Sequence, residues 1–206
     1  MSNDEIMEDS TEKLPVIEGD RSSEVGILMI KPDAIKLGVE EYLVAEFVKR
    51  LEGRADLDYA VVKTIESEET VREIYPDLED DTYKALYGYL IGKEVLLITF
   101  RAKNNTPGTD MLERLSSIRG PSMWRWSKEQ LSGNVGPEDF VRRMMPVPGS
   151  PPEWNIIKEK ALQKERMTQR EFEVYCQNLV HTPTSKGDFN ALLKLFSEKE
   201  RKFILR

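Results

Sequence analysis

The spacing of apolar residues constrains the fold of this chain more than any other feature. Val25–Ile30, Leu57–Ile65 and Glu94–Phe100 have the length and the apolar content typical of strands, and a segment with helical periodicity follows each of them. In Val39–Leu51, for example, apolar residues recur every four positions, as they do in a helix that packs one face against a core. Strands that alternate with helices over short connections predict one sheet covered by helices, an α/β or α+β sandwich.

Similar patterns predict the remaining elements of this alternation. Pro32 is expected to end the first strand, because proline cannot donate a hydrogen bond to a neighbouring strand. Thr106 followed by Pro107 is typical of an N-cap and a first helical residue, so a short helix is expected to begin there and to end at Leu115. The other predicted elements are helices over Glu68–Tyr75, Asp81–Ile91 and Thr184–Ser197 and a fourth strand over Phe172–Val180.

Two segments do not follow the alternation. Residues 1–24 contain eight acids and two bases with few apolar residues, which predicts a disordered acidic tail over residues 1–22. Residues 121–170 contain all three tryptophans and more than half of the eleven prolines. Within them, Ser150 stands three residues before Glu153, which is the spacing of a capping box and predicts a helix that runs to about Met167.

The amino-acid composition excludes several classes of protein. The single cysteine, Cys176, cannot form an intramolecular disulfide, and the single histidine, His181, excludes metal sites built from several histidines. The net charge of −7 lies mostly in the tail, so the rest of the chain lacks the basic surface that general nucleic-acid binding requires. No apolar run approaches the ~20 residues of a membrane span, and no signal peptide is recognised. We therefore expect a cytoplasmic protein without membrane or specific nucleic-acid partners.

His181 is the residue with the clearest chemical potential. It follows a predicted strand and precedes a predicted helix, and reactive groups often lie at such strand ends. An imidazole is largely neutral near pH 7 and can form covalent intermediates, so nucleophilic transfer is the chemistry most open to it. Phosphoryl transfer also needs cationic groups around the phosphate, and Lys31 and Arg119 stand at candidate loop positions. The alternative for each of these residues is a structural or surface role.

Four short motifs occur in order along the chain. They are a strand with Lys-Pro-Asp in Ile27–Asp33, Tyr-Pro-Asp-Leu in Tyr75–Asp80, Ile-Arg-Gly in Ser117–Gly120 and Asn-x-x-His in Asn178–His181. Together they resemble the signatures of nucleoside diphosphate kinases. The resemblance covers residues 24–120 and 174–197. It therefore predicts one kinase-like domain over residues 23–206, into which residues 121–173 are inserted.

The resemblance implies a ferredoxin-like βαββαβ core with an antiparallel four-stranded sheet. It also implies ping-pong transfer of the γ-phosphate from a nucleoside triphosphate to a nucleoside diphosphate. By the same resemblance, His181 is the nucleophile that carries the phosphate, and Tyr83 stacks on the base. The resemblance also implies that Mg²⁺ enters on the nucleotide and is held by phosphates and water instead of by a protein metal site. The family positions that contact phosphates, sugar or histidine correspond to Lys31, Tyr75, Arg119 and Asn178, and Arg114 stands in for a further phosphate-binding arginine.

The chain departs from the family pattern around the histidine. A phosphate-binding threonine has no clear counterpart, Pro183 replaces a serine, and Leu192 replaces a supporting glutamate for which Asp188 is the nearest acid. A second interpretation therefore stays open, in which the chain is a catalytically weak or inactive kinase-like module that binds nucleotides or a protein. Self-association into a homo-oligomer is also left open, and the tryptophans of the insertion are expected to pack against the kinase-like body or a second subunit.

Overall fold

The computed structural model describes residues 24–76, 80–103, 110–120, 154–163, 165 and 168–206. The strands are β1 (Val25–Ile30), β2 (Ala55–Thr64), β3 (Glu94–Ala102) and β4 (Val180–His181). The helices are α1 (Pro32–Leu37), α2 (Glu40–Arg50), α3 (Glu68–Ile74), α4 (Asp80–Leu90), α5 (Met111–Arg119), α6 (Trp154–Gln163), α7 (Gln169–Tyr175), α8 (Lys186–Lys194) and α9 (Glu198–Ile204). Among these helices none is long and apolar enough to cross a membrane.

The four strands form one sheet in the order β2-β3-β1-β4, and each neighbouring pair is antiparallel. Strand β1 pairs with β3 along its whole length, from Val25 opposite Arg101 to Ile30 opposite Leu96. The short strand β4 pairs only with the last two residues of β1. This arrangement confirms the predicted α+β sandwich with a ferredoxin-like, antiparallel four-stranded sheet.

Strand β1 is buried on both faces, which explains its unbroken run of apolar residues. Val25, Ile27 and Met29 belong to the cluster formed with α3, α4 and α8, whereas Leu28 and Ile30 belong to the cluster formed with α2 and α5. Successive side chains of a strand point to opposite faces, so a central strand between two helical layers has no polar face. The core therefore consists of two layers separated by the sheet.

Several predicted elements differ from those observed. Pro32 ends β1 as expected, but it also begins the short helix α1, which the sequence patterns did not predict. Proline is favourable at the first helical position because the N–H that it lacks would make no hydrogen bond within the helix. Helix α5 begins after the N-cap Asp110 and ends at Arg119, beyond the predicted end at Leu115; Thr106 and Pro107 lie outside the described residues. The last predicted helix, Thr184–Ser197, corresponds to α8, which is shorter at both ends; the sequence patterns did not predict α9, which follows with Ser197 as its N-cap.

The predicted fourth strand over Phe172–Val180 is wrong for most of its length. Gln169–Tyr175 forms helix α7, which packs against α4, and only Val180 and His181 form a strand. The aromatic and β-branched residues that favour a strand here are also compatible with a helix when tertiary packing favours it. Leu179 has a φ of 69°, which is incompatible with a continuous strand into Val180.

Predictions about the two irregular segments fall largely outside the described residues. The acidic tail over 1–22 and the helix start at Ser150 both lie there, as does the greater part of the insertion over 121–173. The described part of the insertion contains α6, which ends at Gln163 rather than near Met167, and α7. Lys160 of α6 and Glu171 of α7 form an ion pair with 2.6 Å between Nζ and Oε1. The domain boundaries remain predictions.

Candidate functional site

The short strand β4 brings His181 to the end of β1. Met29 lies opposite His181 and Ile30 opposite Val180, and the main-chain N–H of Lys31 donates to the carbonyl of Leu179 at 2.8 Å. These bonds align the Lys-Pro-Asp motif with the Asn-x-x-His motif, although the two motifs are far apart in the sequence. The His181 side chain is 5% exposed.

The turn before His181 has an unusual backbone. The Val180 N–H donates to the Asn178 carbonyl at 2.8 Å, and Leu179 between them adopts the left-handed region with a φ of 69°. Leucine pays a conformational cost of roughly 1–3 kcal/mol in this region. Asp33 accepts a hydrogen bond from the Leu179 N–H, with 3.0 Å between N and Oδ2. The conformation is therefore held by a side chain of α1.

Lys31 has a buried side chain beside this turn. It is 2% exposed, and its ammonium donates to the carbonyl of Cys176 at 3.0 Å. Nζ also lies 5.7 Å from the ring centroid of Tyr75 and 5.8 Å from that of Tyr89, distances at which aromatic rings stabilise a cation. A buried charge requires such compensation. The site therefore contains a positive charge held by a carbonyl and two rings.

Tyr75 and Arg119 complete the surroundings of the histidine loop. The Tyr75 ring, at the C-cap of α3, lies with its centroid 4.6 Å from that of the His181 ring. Arg119 is the last residue of α5, and its buried guanidinium donates to the carbonyl of Thr182 at 3.0 Å, next to His181. It also donates to the carbonyl of Gly120 at 3.1 Å and to the hydroxyl of Ser116 at 3.1 Å.

Two polar atoms of the histidine loop are buried without a hydrogen-bond partner in the described part of the chain. They are Oδ1 of Asn178 and the hydroxyl oxygen of Thr182, on the two sides of His181. Buried polar atoms are normally paired, so unpaired ones indicate a place where a ligand or water binds. Five predicted site residues thus come together around this loop: Lys31, Tyr75, Arg119, Asn178 and His181.

Two other predicted site residues have surroundings of their own. Tyr83 of α4 is 3% exposed; its hydroxyl donates to the Glu68 carbonyl at 2.9 Å, and Cζ of Arg72 lies 3.9 Å from its ring centroid. Burial, followed by the nearby Glu68, raises the pKa of Tyr83. Arg114 lies on α5, and its Nε is buried without a hydrogen-bond partner among the described residues. No described contact joins Tyr83 or Arg114 to His181.

Asp188 has a role that the sequence comparison did not indicate. Its carboxylate accepts hydrogen bonds from the N–H and hydroxyl of Thr184, at 3.1 and 2.8 Å, and from the hydroxyl of Ser185 at 2.8 Å. The side chain therefore orders the loop that follows His181, and Ser185, whose hydroxyl oxygen accepts from the Asp188 N–H at 3.1 Å, is the N-cap of α8. Leu192, at the position of the family's supporting glutamate, is fully buried in the core.

Sequence reasoning missed two residues of this site. Asp33 belongs to the Lys-Pro-Asp motif but was assigned no role of its own, and Tyr89 of α4 carried no signal. The Tyr89 hydroxyl donates to Oδ1 of Asp33 and accepts from the Asp33 N–H at 3.2 Å. Burial, with the adjacent Asp33 carboxylate, raises the pKa of Tyr89 well above its ordinary value. The hydroxyl therefore stays protonated and remains a donor.

The site contains two buried cationic side chains. Lys31 and Arg119 are buried cations, and the described residues contain no group of three or more His, Cys, Asp or Glu side chains placed to hold a metal. A nucleotide that brings Mg²⁺ on its own phosphates fits such a site, because Mg²⁺ retains water and phosphate ligands and needs few from a protein. The arrangement can therefore bind a phosphate beside a buried imidazole.

Comparisons with known proteins identify the fold. No protein-family model and no curated protein sequence matches the chain. Among solved structures, it is similar to a transition-state mimic of nucleoside-diphosphate kinase from Borrelia burgdorferi with bound vanadate and ADP, with a TM-score of 0.52, 14% identity and coverage of 86% of this chain and 89% of that one.

Two further solved structures agree with the first. One is the nucleoside diphosphate kinase of Aquifex aeolicus, with a TM-score of 0.52, 17% identity and coverage of 86% and 97% of the two chains. The other is a halophilic nucleoside diphosphate kinase from Halobacterium salinarum in complex with CDP, with a TM-score of 0.50, 15% identity and coverage of 86% and 90%. The chain therefore has the fold of nucleoside diphosphate kinases.

Proposed function

We propose that the protein is a nucleoside diphosphate kinase that transfers the γ-phosphate of a nucleoside triphosphate to a nucleoside diphosphate through phosphorylated His181. The observation that carries this proposal is the convergence of a buried imidazole with two buried cations. His181 follows a turn held by Asp33, Lys31 donates to the carbonyl of Cys176 on one side, and Arg119 donates to the carbonyl of Thr182 on the other. Convergent charges of this kind stabilise a phosphoryl group in transfer.

The reaction proceeds in two half-reactions. An imidazole nitrogen of His181 attacks the γ-phosphorus, the bond from that phosphorus to the β–γ bridging oxygen breaks, and the nucleoside diphosphate leaves with that oxygen. A second nucleoside diphosphate then binds, and its terminal β-phosphate oxygen attacks the phosphohistidine and restores the free imidazole. Lys31 and Arg119 neutralise the charge on the phosphoryl oxygens, and the unpaired Oδ1 of Asn178 accepts a hydrogen bond from the bound substrate.

Mg²⁺ would neutralise charge on the β- and γ-phosphates when it is bound with the nucleotide. The residues that face those phosphates in this proposal are the cations Lys31 and Arg119, so the metal needs no dedicated protein ligands. Tyr75 has a separate role, because its ring lies against the His181 ring and limits the orientations that the imidazole adopts.

The test is to incubate the protein with γ-labelled ATP and to measure acid-labile, alkali-stable phosphate on the chain. His181 is the only histidine, so phosphohistidine reports on this residue alone. We expect the label to move to added GDP or CDP. His181→Ala, purified in parallel to control for contaminating kinases, should lose both the phosphoenzyme and the transfer. Equal transfer by His181→Ala and the parent would contradict the proposal.

A second candidate function is a kinase-like module that binds nucleotides without transferring phosphate. It is favoured by the environment of the histidine loop, where Asp188 accepts hydrogen bonds from Thr184 and Ser185 and Leu192 is buried at the position of the family's glutamate. In that case nucleotide binding would be measurable by calorimetry, while the labelled phosphoenzyme would not form. Binding and labelling in the same preparation therefore separate the two functions.

Two further expectations from the sequence belong to this proposal. We place the protein in the cytoplasm, where a chain with one cysteine needs no disulfide and nucleotides are available. Self-association into a homo-oligomer is compatible with the exposed apolar residues Leu57 and Val62 on β2, which lies at the edge of the described sheet. Sedimentation at several concentrations measures this directly.

A further inference from the structure

We propose that Asp33 and Tyr89 are positioning residues, which hold Leu179 in the left-handed conformation and thereby fix the His181 imidazole for phosphoryl transfer. This inference rests on the proposed function. It assigns a role to two residues that contact no reacting atom. They act through the backbone that carries the nucleophile.

The first step of the argument is the pair of hydrogen bonds made by the Asp33 carboxylate. Oδ2 accepts from the Leu179 N–H at 3.0 Å, and Oδ1 accepts from the Tyr89 hydroxyl. Both oxygens are therefore engaged, one by the turn before His181 and one by α4. The bond to Leu179 joins residues 146 positions apart in the chain.

The second step is the cost of the conformation that this bond holds. Leu179 has a φ of 69°, and it is the only non-glycine residue with a positive φ in the described part of the chain. A leucine in this region relaxes to a commoner conformation unless its surroundings prevent it. Its carbonyl is held by the Lys31 N–H at 2.8 Å and its N–H by Asp33, so both polar groups of the strained residue are fixed from the Lys-Pro-Asp motif.

The third step connects the strained residue to the reactive one. Only Val180 separates Leu179 from His181, and the pairing of β4 with β1 is limited to Val180 and His181. Because so short a strand cannot fix its own register, the turn before it must do so. A change in the Leu179 peptide would rotate the His181 side chain relative to Tyr75, whose ring centroid lies 4.6 Å away.

Tyr89 contributes by fixing the carboxylate of Asp33. The Tyr89 hydroxyl donates to Oδ1 of Asp33 and accepts from the Asp33 N–H. The hydroxyl is protonated near neutral pH, as in an ordinary tyrosine, and burial raises its pKa further. Loss of this hydroxyl frees the carboxylate to rotate away from Leu179.

The test compares two variants of the network with a matched control in the full chain. Asp33→Ala removes both acceptors and Tyr89→Phe removes one donor. Tyr59→Phe removes the same kind of contact, because the Tyr59 hydroxyl donates to the Glu200 carboxylate at 3.0 Å. Tyr59 lies on β2, at the opposite edge of the described sheet from β4 and His181. The measurement is the rate of phosphohistidine formation as a function of ATP concentration.

We expect Asp33→Ala to lower the maximal rate by about tenfold to a hundredfold, with a smaller loss for Tyr89→Phe, because misplacement of a nucleophile lowers the rate of the chemical step. The ATP concentration at half-maximal rate should change little, and Tyr59→Phe should retain the parental rate. Asp33→Ala within about threefold of the parent in maximal rate would overturn the inference.

Rescue at position 179 separates a positioning role from a general loss of packing. Glycine adopts a positive φ without strain, whereas alanine removes nearly the same side chain and keeps the cost. In the Asp33→Ala background, Leu179→Gly should therefore restore more of the rate than Leu179→Ala. Equal rates for these two double variants would overturn the inference.

A spectroscopic measurement keeps this inference separable from the proposed function. His181 is the only histidine, so its ring protons give unambiguous NMR signals, and the ring current of Tyr75 shifts them according to their placement. Asp33→Ala should move these signals and Tyr59→Phe should not. If the parent forms no phosphoenzyme, the proposed function fails while this measurement still decides the positioning role; unchanged signals in Asp33→Ala overturn it.

Discussion

At the scale of single residues, the proposed chemistry depends on Lys31 and Arg119. Each is a buried cation that donates to a main-chain carbonyl of the segment around His181, at Cys176 and at Thr182. A carbonyl is a weaker acceptor for a cation than a phosphate oxygen, because charge-assisted hydrogen bonds between two ions are the stronger kind. A phosphate therefore competes well for these donors, and the carbonyls keep them aimed at the histidine loop.

This comparison predicts the effect of removing either charge. Lys31→Met and Arg119→Met should each lower turnover by about a hundredfold to a thousandfold, since loss of one donor to a developing charge has that effect in other enzymes. Lys63→Met is the matched control, because Lys63 pairs with Glu200 at 2.8 Å on β2 and α9. Turnover is measured with ATP and a second nucleoside diphosphate, alongside thermal unfolding. Parental turnover in a folded Lys31→Met protein would show that this lysine is structural.

At the scale of elements, the Glu200 side chain links α9 to β2, in addition to the buried Ile204 and the hydrogen bond from Arg101 of β3 to the Ile204 carbonyl. Glu200 accepts from Lys63 at 2.8 Å and from Tyr59 at 3.0 Å, both on β2, and its capping box with Ser197 starts the helix. Burial alone would raise the pKa of Glu200, but the hydrogen bonds from Lys63, Ser197 and Tyr59 outweigh it and lower the pKa to about 2. The ionised form therefore stabilises the folded protein.

The shifted pKa predicts how the stability of the protein depends on pH. A carboxylate whose pKa is lowered on folding contributes stability that is present above its ordinary value of 4.5 and is lost as the pH falls toward about 2. Glu200→Gln should lower the free energy of unfolding by about 1–3 kcal/mol near pH 7, and the difference from the parent should shrink between pH 4.5 and 2. Urea titrations at several pH values measure this.

The control for that experiment is an exposed ion pair on the same helix. Glu198 and Lys202 form a surface pair, and such pairs contribute little to stability, so Glu198→Gln should behave like the parent. A pH-independent difference between Glu200→Gln and the parent would contradict the role assigned to the ionised carboxylate.

Elements were predictable from the sequence where local pattern and tertiary context agree. The apolar run of β1 and the periodicity of α2 were correct within a residue or two. The apolar residues of α7 favour a strand as much as a helix, and the packing of this segment against α4 decides for the helix. The motif around His181 located the candidate nucleophile, but the contact of Tyr89 with Asp33 spans 56 positions and leaves no local pattern.

At the scale of the whole molecule, the described part of the insertion is joined to the core through α7. Val174 of α7 is fully buried, the helix packs against α4, and Cys176 directly after it accepts the hydrogen bond of Lys31. Helix α6 is linked to α7 by the ion pair between Lys160 and Glu171. Helix α6 also contains a fully buried residue, Ile157, but it packs mainly against α7, whereas α7 packs against α4 and leads directly to Cys176 beside the site.

This difference predicts unequal effects of two deletions. Replacement of residues 121–163 by a short Gly/Ser linker removes α6 but keeps α7, and it should leave a folded protein in which ATP still phosphorylates His181. Replacement of residues 121–175 also removes α7 and the buried Val174, which exposes the surface of α4 that it covers. Loss of one buried aliphatic side chain alone lowers stability by about 2–5 kcal/mol.

The second protein should therefore unfold at a markedly lower temperature and lose histidine phosphorylation. Thermal unfolding, solution mass and the labelled phosphoenzyme are measured for both. Equal unfolding temperatures would show that α7 contributes nothing to the core. If both deletions abolished phosphorylation while both proteins stayed folded, residues 121–163 would themselves be part of the active site. The expectation that α6 lies outside that site would then be wrong.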